Sequence, residues 1–297
     1  GYSRRRAGPF RSQRINNSMR TITPPCGSQR KAAKFGTAMM QPAFDIVIDY
    51  TGDQRYSAYF ASAALFWELA ITGDVPDASV SGIGPVDDLY ITASVVSIDG
   101  AGGILGQAGP DYYRNGPFLP ISGIMQFDIS DCESLIAADL FSNVILHEMG
   151  HVLGLGTVWD LNGSVLHAAD LSKPTGYDYS YVGASALTEY RVLANNSAAT
   201  RVAVESTLGG AGTIGGHWDE TIFGNELMTG FVANGYNPIS RMTLAALRDT
   251  GYDVDLGVAD PYWLTSTLVQ NRDDFAGSFR TTGILQIGQV TSGTIEL

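Results

Sequence analysis

The sequence predicts an α+β fold in which a mixed, twisted sheet is backed by helices. Segments with strand-like alternation and segments with helical apolar spacing follow one another as strand, helix, strand, strand, helix between residues 44 and 154. With 44% hydrophobic residues in 297, the chain can bury a sizeable core. Beyond Gly257 short strand-like runs replace the helical spacing. We therefore expect one large globular domain over residues 44–256, followed by a linker and the beginning of a β-sandwich domain over residues 257–297.

The first 43 residues form a separate, basic segment. They contain nine Arg or Lys and no Asp or Glu, and no apolar period runs through them. We expect a disordered leader or pro-segment over residues 1–43. Its single cysteine, Cys26, has the chemistry to block a metal site through its thiolate, although an incidental thiol is the commoner case.

The charge of the remaining chain excludes one class of partner. Residues 44–297 carry nine basic and thirty acidic groups, which disfavours binding to nucleic acid and favours a secreted, extracellular protein. No run of apolar residues approaches the ~20 that a membrane-spanning helix needs. Acidic loops leave Ca²⁺ binding possible, but no EF-hand pattern occurs.

Three strands are predicted from β-branched, alternating segments. They cover Phe44–Tyr50, Leu89–Ile98 and Ile121–Ile129. The glycine-rich stretch between the second and the third, Asp99–Pro110, is predicted to be a loop.

Four helices are predicted from 3.6-residue apolar spacing and end signals. They are Arg55–Ile71, a helix that runs through His151 and ends at Gly154, Ser185–Ala194, and Ser240–Asp249 with Gly251 as its terminator. Ser130 and Glu133 fit a capping box for the start of the second helix, and a start near Asp139 fits equally well.

The second of these helices carries the pattern H-E-x-x-H. His147 and His151 lie one turn apart on the same face, where one zinc ion can accept both imidazoles. Glu148 follows the first histidine and is placed to act as a general base towards a water molecule at the metal. The neighbouring residues are apolar, and polar groups in a buried helix are costly unless they have a function.

A catalytic zinc site needs a third protein ligand, and the residues alone leave several candidates. The compact extension H-x-x-G-x-x-H would place a histidine at position 157, which is Thr157. His167, His217 and the carboxylate of Glu189 remain. Cys132 would suit a deformylase-like site, but the glutamine motif that accompanies such a site is missing.

A downstream segment resembles a known family. Residues 215–230 read G-G-H-W-D-E-T-I-F-G-N-E-L-M-T-G. Together with H-E-x-x-H-x-x-G, this segment resembles the metzincin clan of zinc peptidases and, within it, the leishmanolysin-like family (M8-like, of the bacterial secreted type). The resemblance covers residues 44 to about 256. It implies a zincin-like domain with an active-site helix and a C-terminal helix, and an insertion over residues 156–216.

The resemblance also implies the function and the remaining site residues. His217 would complete the zinc ligands, and Met228 would form the hydrophobic floor beneath them. The expected activity is that of a zinc metalloendopeptidase (EC 3.4.24 type) acting on proteins or peptides, with Glu148 as general base. A peptide would pair with an edge strand formed by Gly123, Ile124, Met125, Gln126 and Phe127. The alternative is a catalytically inactive binding or adhesion module with the same fold, against which the intact Glu148 argues.

Overall fold

The computed structural model describes residues 13–15, 42–264 and 279–282. The strands are β1 (Gln13–Ile15), β2 (Ile46–Thr51), β3 (Ala78–Val80), β4 (Gly84–Val86), β5 (Leu89–Val96), β6 (Ile104–Tyr113), β7 (Pro120–Asp128), β8 (Val165–Ala169), β9 (Tyr177–Tyr181), β10 (Val202–Ala203), β11 (Phe231–Val232) and β12 (Phe279–Thr282). The α-helices are α1 (Ser57–Ala70), α2 (Ile129–Ala137), α3 (Phe141–Val152), α4 (Ala184–Leu193), α5 (Glu220–Phe223) and α6 (Arg241–Thr250). Short 3₁₀ turns cover Gln54–Tyr56 and Leu256–Val258.

The main sheet has seven strands in the order β1-β2-β5-β7-β6-β12-β11. Strands β2, β5 and β7 are parallel, and β6 is antiparallel to β7. The α+β class with a mixed sheet backed by helices is therefore confirmed. The predicted strands over residues 44–50, 89–98 and 121–129 correspond to β2, β5 and β7, each within a few residues.

Helices α1 and α3 pack together beside this sheet. The indole N–H of Trp67 on α1 donates to the carbonyl oxygen of Leu146 on α3 at 3.2 Å. Phe127 of β7 lies edge-on to Phe60 of α1 and to Phe141 at the start of α3. These buried aromatic contacts fix the height and rotation of α3, the helix that carries the H-E-x-x-H pattern.

The predicted loop at Asp99–Pro110 is largely wrong, because β6 begins at Ile104. Its glycines suggested a loop, but packing favours a glycine at Gly106: a Cβ at that position would lie 3.0 Å from Cγ of Glu148 and 3.1 Å from the ring of Phe127, a close fit. A glycine inside a strand can mark such a close approach as well as a turn.

The single helix predicted from the capping box is also wrong, because two helices lie there. α2 ends at Ala137, and Asp139 adopts a left-handed conformation with φ of 58° before α3 begins. The side chain that caps α2 is that of Asp128, which accepts from the backbone N–H of Ser130 at 2.8 Å. The alternative start near Asp139 is close to the observed start of α3.

The remaining predicted helices are confirmed. Ser185–Ala194 corresponds to α4 and Ser240–Asp249 to α6. The hydroxyl of Ser240 accepts from the N–H of Thr243 at 3.1 Å, and Gly251 ends α6 with φ of 116°.

Residues 156–216 form a lobe that leaves the domain and returns at one point. The lobe contains α4 and the three-stranded sheet β10-β9-β8. At its base, a Cβ on Gly156 would collide with the carbonyl oxygen of Gly216, so the two backbones are in contact. The carboxylate of Asp249 on α6 caps α4, accepting from the N–H groups of Ser185 (2.8 Å) and Ala186 (3.0 Å). The lobe is thus tied to the domain at its base, at α4 and through side chains such as Trp159 and Tyr181 that belong to the main core.

The two terminal segments differ from the sequence-based expectation. Residues 13–15 were expected to be disordered, but as β1 they pair with β2. Residues 256–259 pack into the main core, so the domain continues past residue 256. Cys26 and the strand pattern over 284–297 lie outside the described residues. Among the residues that are described, no helix combines the length and apolar character needed to cross a membrane.

Candidate metal centre

Three buried histidines meet beside α3. The Nε2 atoms of His147 and His151, one turn apart on the helix, are 2.9 Å apart. His217, which follows the lobe, places its Nε2 at 3.2 Å from that of His147 and 3.0 Å from that of His151. All three side chains are at most 1% exposed. Among the described residues, this is the one metal-compatible group that contains histidine.

The other ring nitrogen of each histidine bonds to a backbone carbonyl. The Nδ1 atoms of His147, His151 and His217 donate to Leu227, Leu155 and Thr213, at 2.6, 2.7 and 2.9 Å respectively. A carbonyl oxygen can only accept, so Nδ1 must carry the proton in each ring. The three Nε2 atoms therefore present lone pairs to one another when the rings are neutral.

This arrangement fits a metal cation. Burial lowers the pKa of His147 to about 4 and that of His217 to about 3, and it holds the pKa of His151 well below its usual value. Neutral rings with three converging lone pairs repel one another unless a cation lies between them. Metal-bound histidines usually have this second hydrogen bond, because it fixes the tautomer and the ring orientation. The donor set of three imidazoles suits zinc.

Glu148 lies in the same buried region without a hydrogen bond. Its side chain is fully buried, and neither carboxylate oxygen has a hydrogen-bond partner among the described residues. Burial raises the pKa of Glu148 well above its usual value. A buried carboxylate without donors is costly and is therefore a candidate for a chemical role. The Cγ atom of Glu148 lies close to Gly106 of β6, which leaves room for it because glycine has no side chain.

Met228 lies against the helix between the two histidines. A Cβ on Gly150 would be 3.1 Å from the sulfur of Met228, so the thioether touches the backbone of α3 at that point. Met228 is 1% exposed, and its carbonyl accepts from the N–H of Trp218 at 3.0 Å. Met228 thus packs against α3 next to the histidines, and its role as the floor beneath a metal stays a prediction.

Glu226 is a site residue to which the sequence reasoning gave no role. Its fully buried carboxylate accepts from the N–H of Met228 (2.6 Å), from the N–H and hydroxyl of Ser240 (2.9 and 2.7 Å), and from the hydroxyl of Thr243. The Thr243 hydroxyl in turn accepts from the indole of Trp218 at 2.8 Å. Glu226 thereby joins the segment containing Met228 to the start of α6. The signal in the sequence that could have indicated a role for Glu226 is its position at the start of the E-L-M-T-G segment.

The third histidine is held by a close approach between Thr213 and Gly230. The carbonyl of Thr213 orients His217, and a Cβ on Gly230 would collide with Cγ2 of Thr213. The residue that ends the E-L-M-T-G segment must therefore be small.

The other proposed ligands lie elsewhere. His167 bonds to the carboxylate of Asp160 at 2.6 Å on the surface of the lobe. Glu189 pairs with Arg241 at 2.8 Å. Cys132 is a buried free thiol that bonds to the carbonyl oxygen of Asp128 at 3.3 Å. None of these three belongs to the histidine cluster.

The residues predicted as a substrate-binding edge, Gly123–Phe127, are not at an edge. They belong to β7, which pairs with β5 on one side and with β6 on the other. The prediction failed because β6, which covers this strand, was taken for a loop.

The fold and the site define a class of protein: an α+β protein with three histidines arranged so that they could hold a metal ion, and a glutamate beside them. The leishmanolysin model of peptidase family M8 matches residues 75–269, more than half of the chain, so the chain belongs to the leishmanolysin family. Membership of this family implies a zinc metallopeptidase that acts on proteins, and the histidine cluster is compatible with that assignment. No curated protein matches the chain.

Proposed function

We propose that this protein is an endopeptidase whose zinc ligands are His147, His151 and His217 and whose general base is Glu148. The observation that carries the proposal is the combination of three converging Nε2 lone pairs with a buried carboxylate that has no hydrogen bond. Zinc, when bound at such a site, lowers the pKa of water towards neutrality and polarises a carbonyl group.

The protein residues then have distinct tasks. The carboxylate of Glu148 accepts a proton from the attacking water and passes it to the nitrogen of the leaving amine. A carboxyl group whose pKa is raised towards neutrality is well suited to do both. The carbonyls of Leu227, Leu155 and Thr213 hold the imidazoles in the tautomer that can bind a metal. Glu226 keeps in place the loop that contains Leu227, through its hydrogen bond from the N–H of Met228.

Zinc content and peptide hydrolysis should be measured together on the purified full chain. Wild type is expected to hold about one zinc ion per molecule and to cleave casein. Glu148→Ala should keep the metal and lose hydrolysis, whereas His217→Ala should lose both. His167→Ala is the matched control, because it removes a histidine of the lobe that is bonded to Asp160 instead of the cluster. Full zinc content and activity in His217→Ala would refute the ligand assignment.

The alternative, an inactive binding module with this fold, makes a different prediction. Such a protein would bind zinc and yet leave casein and small peptides intact at every pH, and Glu148→Ala would change nothing. Glu148 supports the enzymatic proposal, because a binding module gains nothing from burying a carboxylate without a partner.

A further inference from the structure

The main sheet contains a slot one strand wide beside the metal centre. Strand β6 and the short strand β11 do not pair with each other; each pairs with β12, which lies between them. Neighbouring strands are about 4.8 Å apart, so β6 and β11 face each other across roughly 10 Å. Without an extended chain in this slot, both strands would present free backbone donors and acceptors.

Both walls of the slot belong to the site. β12 runs beside residues 104–107 of β6, a stretch that contains Gly106, whose Cα faces the side chain of Glu148. On the other side, Phe231 of β11 follows Met228 by three residues and pairs with Arg280. An extended segment in the slot therefore passes between the strand that touches the general base and the segment that supports the histidines.

We propose that the segment Phe279–Thr282 of this chain competes with the substrate for this slot. The inference rests on the proposed peptidase function and adds a regulatory element to it: a tethered, self-derived peptide that lies parallel to β6 and antiparallel to β11. Pairing of this kind uses backbone groups, which any extended peptide can supply. A tether raises the local concentration of its own segment to the millimolar range, so weak pairing is enough to hinder a dilute substrate.

The pairing can be broken by one substitution in the full chain. Arg280 is paired on both sides, with Phe231 of β11 and with Ile104 of β6, and proline there removes a donor and cannot be accommodated in the middle of a sheet. Arg280→Pro should therefore release the segment, and Arg280→Ala, which keeps the backbone N–H, is the matched control.

The first measurement is independent of catalysis. In a zinc-loaded Glu148→Gln background, a fluorescent peptide with the sequence of residues 277–284 is titrated and its anisotropy recorded. If the segment occupies the slot, Arg280→Pro binds the peptide at least about tenfold more tightly than the parent or Arg280→Ala, because a millimolar competitor is removed. Hydrogen exchange at the β6 amides of residues 104–108 should be faster in Arg280→Pro and should slow again when the peptide is added.

The second measurement uses the active enzyme. Arg280→Pro should lower KM for a soluble peptide substrate severalfold with kcat unchanged, and the free peptide should restore the higher KM. Equal peptide affinity and equal exchange in all variants would overturn the proposal, as would a raised KM, which would make β12 a structural support. If the anisotropy result holds but no chain hydrolyses peptides, the slot is occupied as inferred and the peptidase assignment is what fails.

Discussion

Two fully buried glutamates, Glu148 on helix α3 and Glu226 on the loop that contains Met228, differ in the number of hydrogen bonds that they accept. Glu226, on the loop side, accepts four hydrogen bonds from three residues, Met228, Ser240 and Thr243. Glu148, on the helix side, accepts none from the described residues. Burial alone therefore does not distinguish a structural carboxylate from a reactive one. The number of donors around each carboxylate does, because only an unsatisfied group retains its capacity to take a new proton or ligand.

The largest expected effect comes from changing Glu148, the glutamate whose carboxylate accepts no hydrogen bond from the described residues. Glu148→Gln should reduce kcat for peptide hydrolysis by about 10²–10⁴-fold, the usual contribution of a general base, while zinc content stays near one per molecule. The same change should stabilise the metal-free protein at neutral pH. The raised pKa of Glu148 means that its contribution to stability is present below the unfolded value of 4.5 and is lost as the pH rises. A lower urea midpoint for metal-free Glu148→Gln at pH 7 would contradict this reading.

The contact between Gly230 and Thr213 can be disturbed without changing a proposed metal ligand. Gly230→Ala should push Thr213 away and disturb the carbonyl that orients His217, and we expect zinc affinity to fall about 10–100-fold. Thr213→Ser removes the Cγ2 methyl group that the new Cβ would meet and keeps the hydroxyl. The double variant should therefore recover most of the affinity, as measured by competition with a chromogenic chelator. Failure of this rescue would show that Gly230 matters for another reason.

A smaller effect is expected from the saturated carboxylate. Glu226→Gln keeps the shape but replaces one accepting oxygen with an amide that donates, so at least one donor loses its partner. Loss of a hydrogen bond to a charged group costs about 1.5–3 kcal/mol, which a shift in the urea midpoint would report. Thr243→Val removes one donor to Glu226 and also the acceptor of the Trp218 indole N–H, so its cost should be similar. In both variants, kcat at low temperature should stay within a few-fold of wild type, in contrast to Glu148→Gln.

The last effect concerns pH and the metal-free protein. Burial lowers the pKa values of His147 and His217 in the folded state to about 4 and 3, below the usual value of 6.5. Their contribution to stability is therefore complete above pH 6.5 and is lost as the pH falls towards 4. Each proton that the unfolded state takes up contributes a slope of about 1.4 kcal/mol per pH unit. Urea unfolding after chelation should show this slope, and His147→Gln should flatten it by about one proton.

Much of the fold was readable because the signals were local. Helix α6 has a capping serine, helical spacing and a terminal glycine, and the structure confirms all three. The break between α2 and α3 was not readable, because it depends on Asp139 adopting a left-handed conformation that no residue type signals strongly. β6 was missed because its Gly106 was read as a loop signal. This glycine packs against the side chain of Glu148, which is 42 positions away in the sequence, so the reason for it was not visible locally.

The site was predicted in part for the same reason. His147, Glu148 and His151 follow from helical spacing, whereas His217 required the family resemblance, since 66 residues separate it from His151. The backbone carbonyls that orient the rings were invisible in the sequence, as any residue type supplies a carbonyl. The secreted location stays a prediction, and so does the β-sandwich domain.

The contact between Gly156 and Gly216 brings the two ends of the lobe together. If the chain passed directly from Gly156 to His217, the ligand helix would read H-x-x-G-x-x-H, the spacing that Thr157 interrupts. Residues 157–216 can thus be described as an excursion, an insertion into the compact ligand motif whose first and last residues lie next to each other. The last residues of the excursion are nevertheless part of the site, because the carbonyl of Thr213 orients His217. Variation in this excursion is therefore expected far from Thr213, around the exposed strand β8.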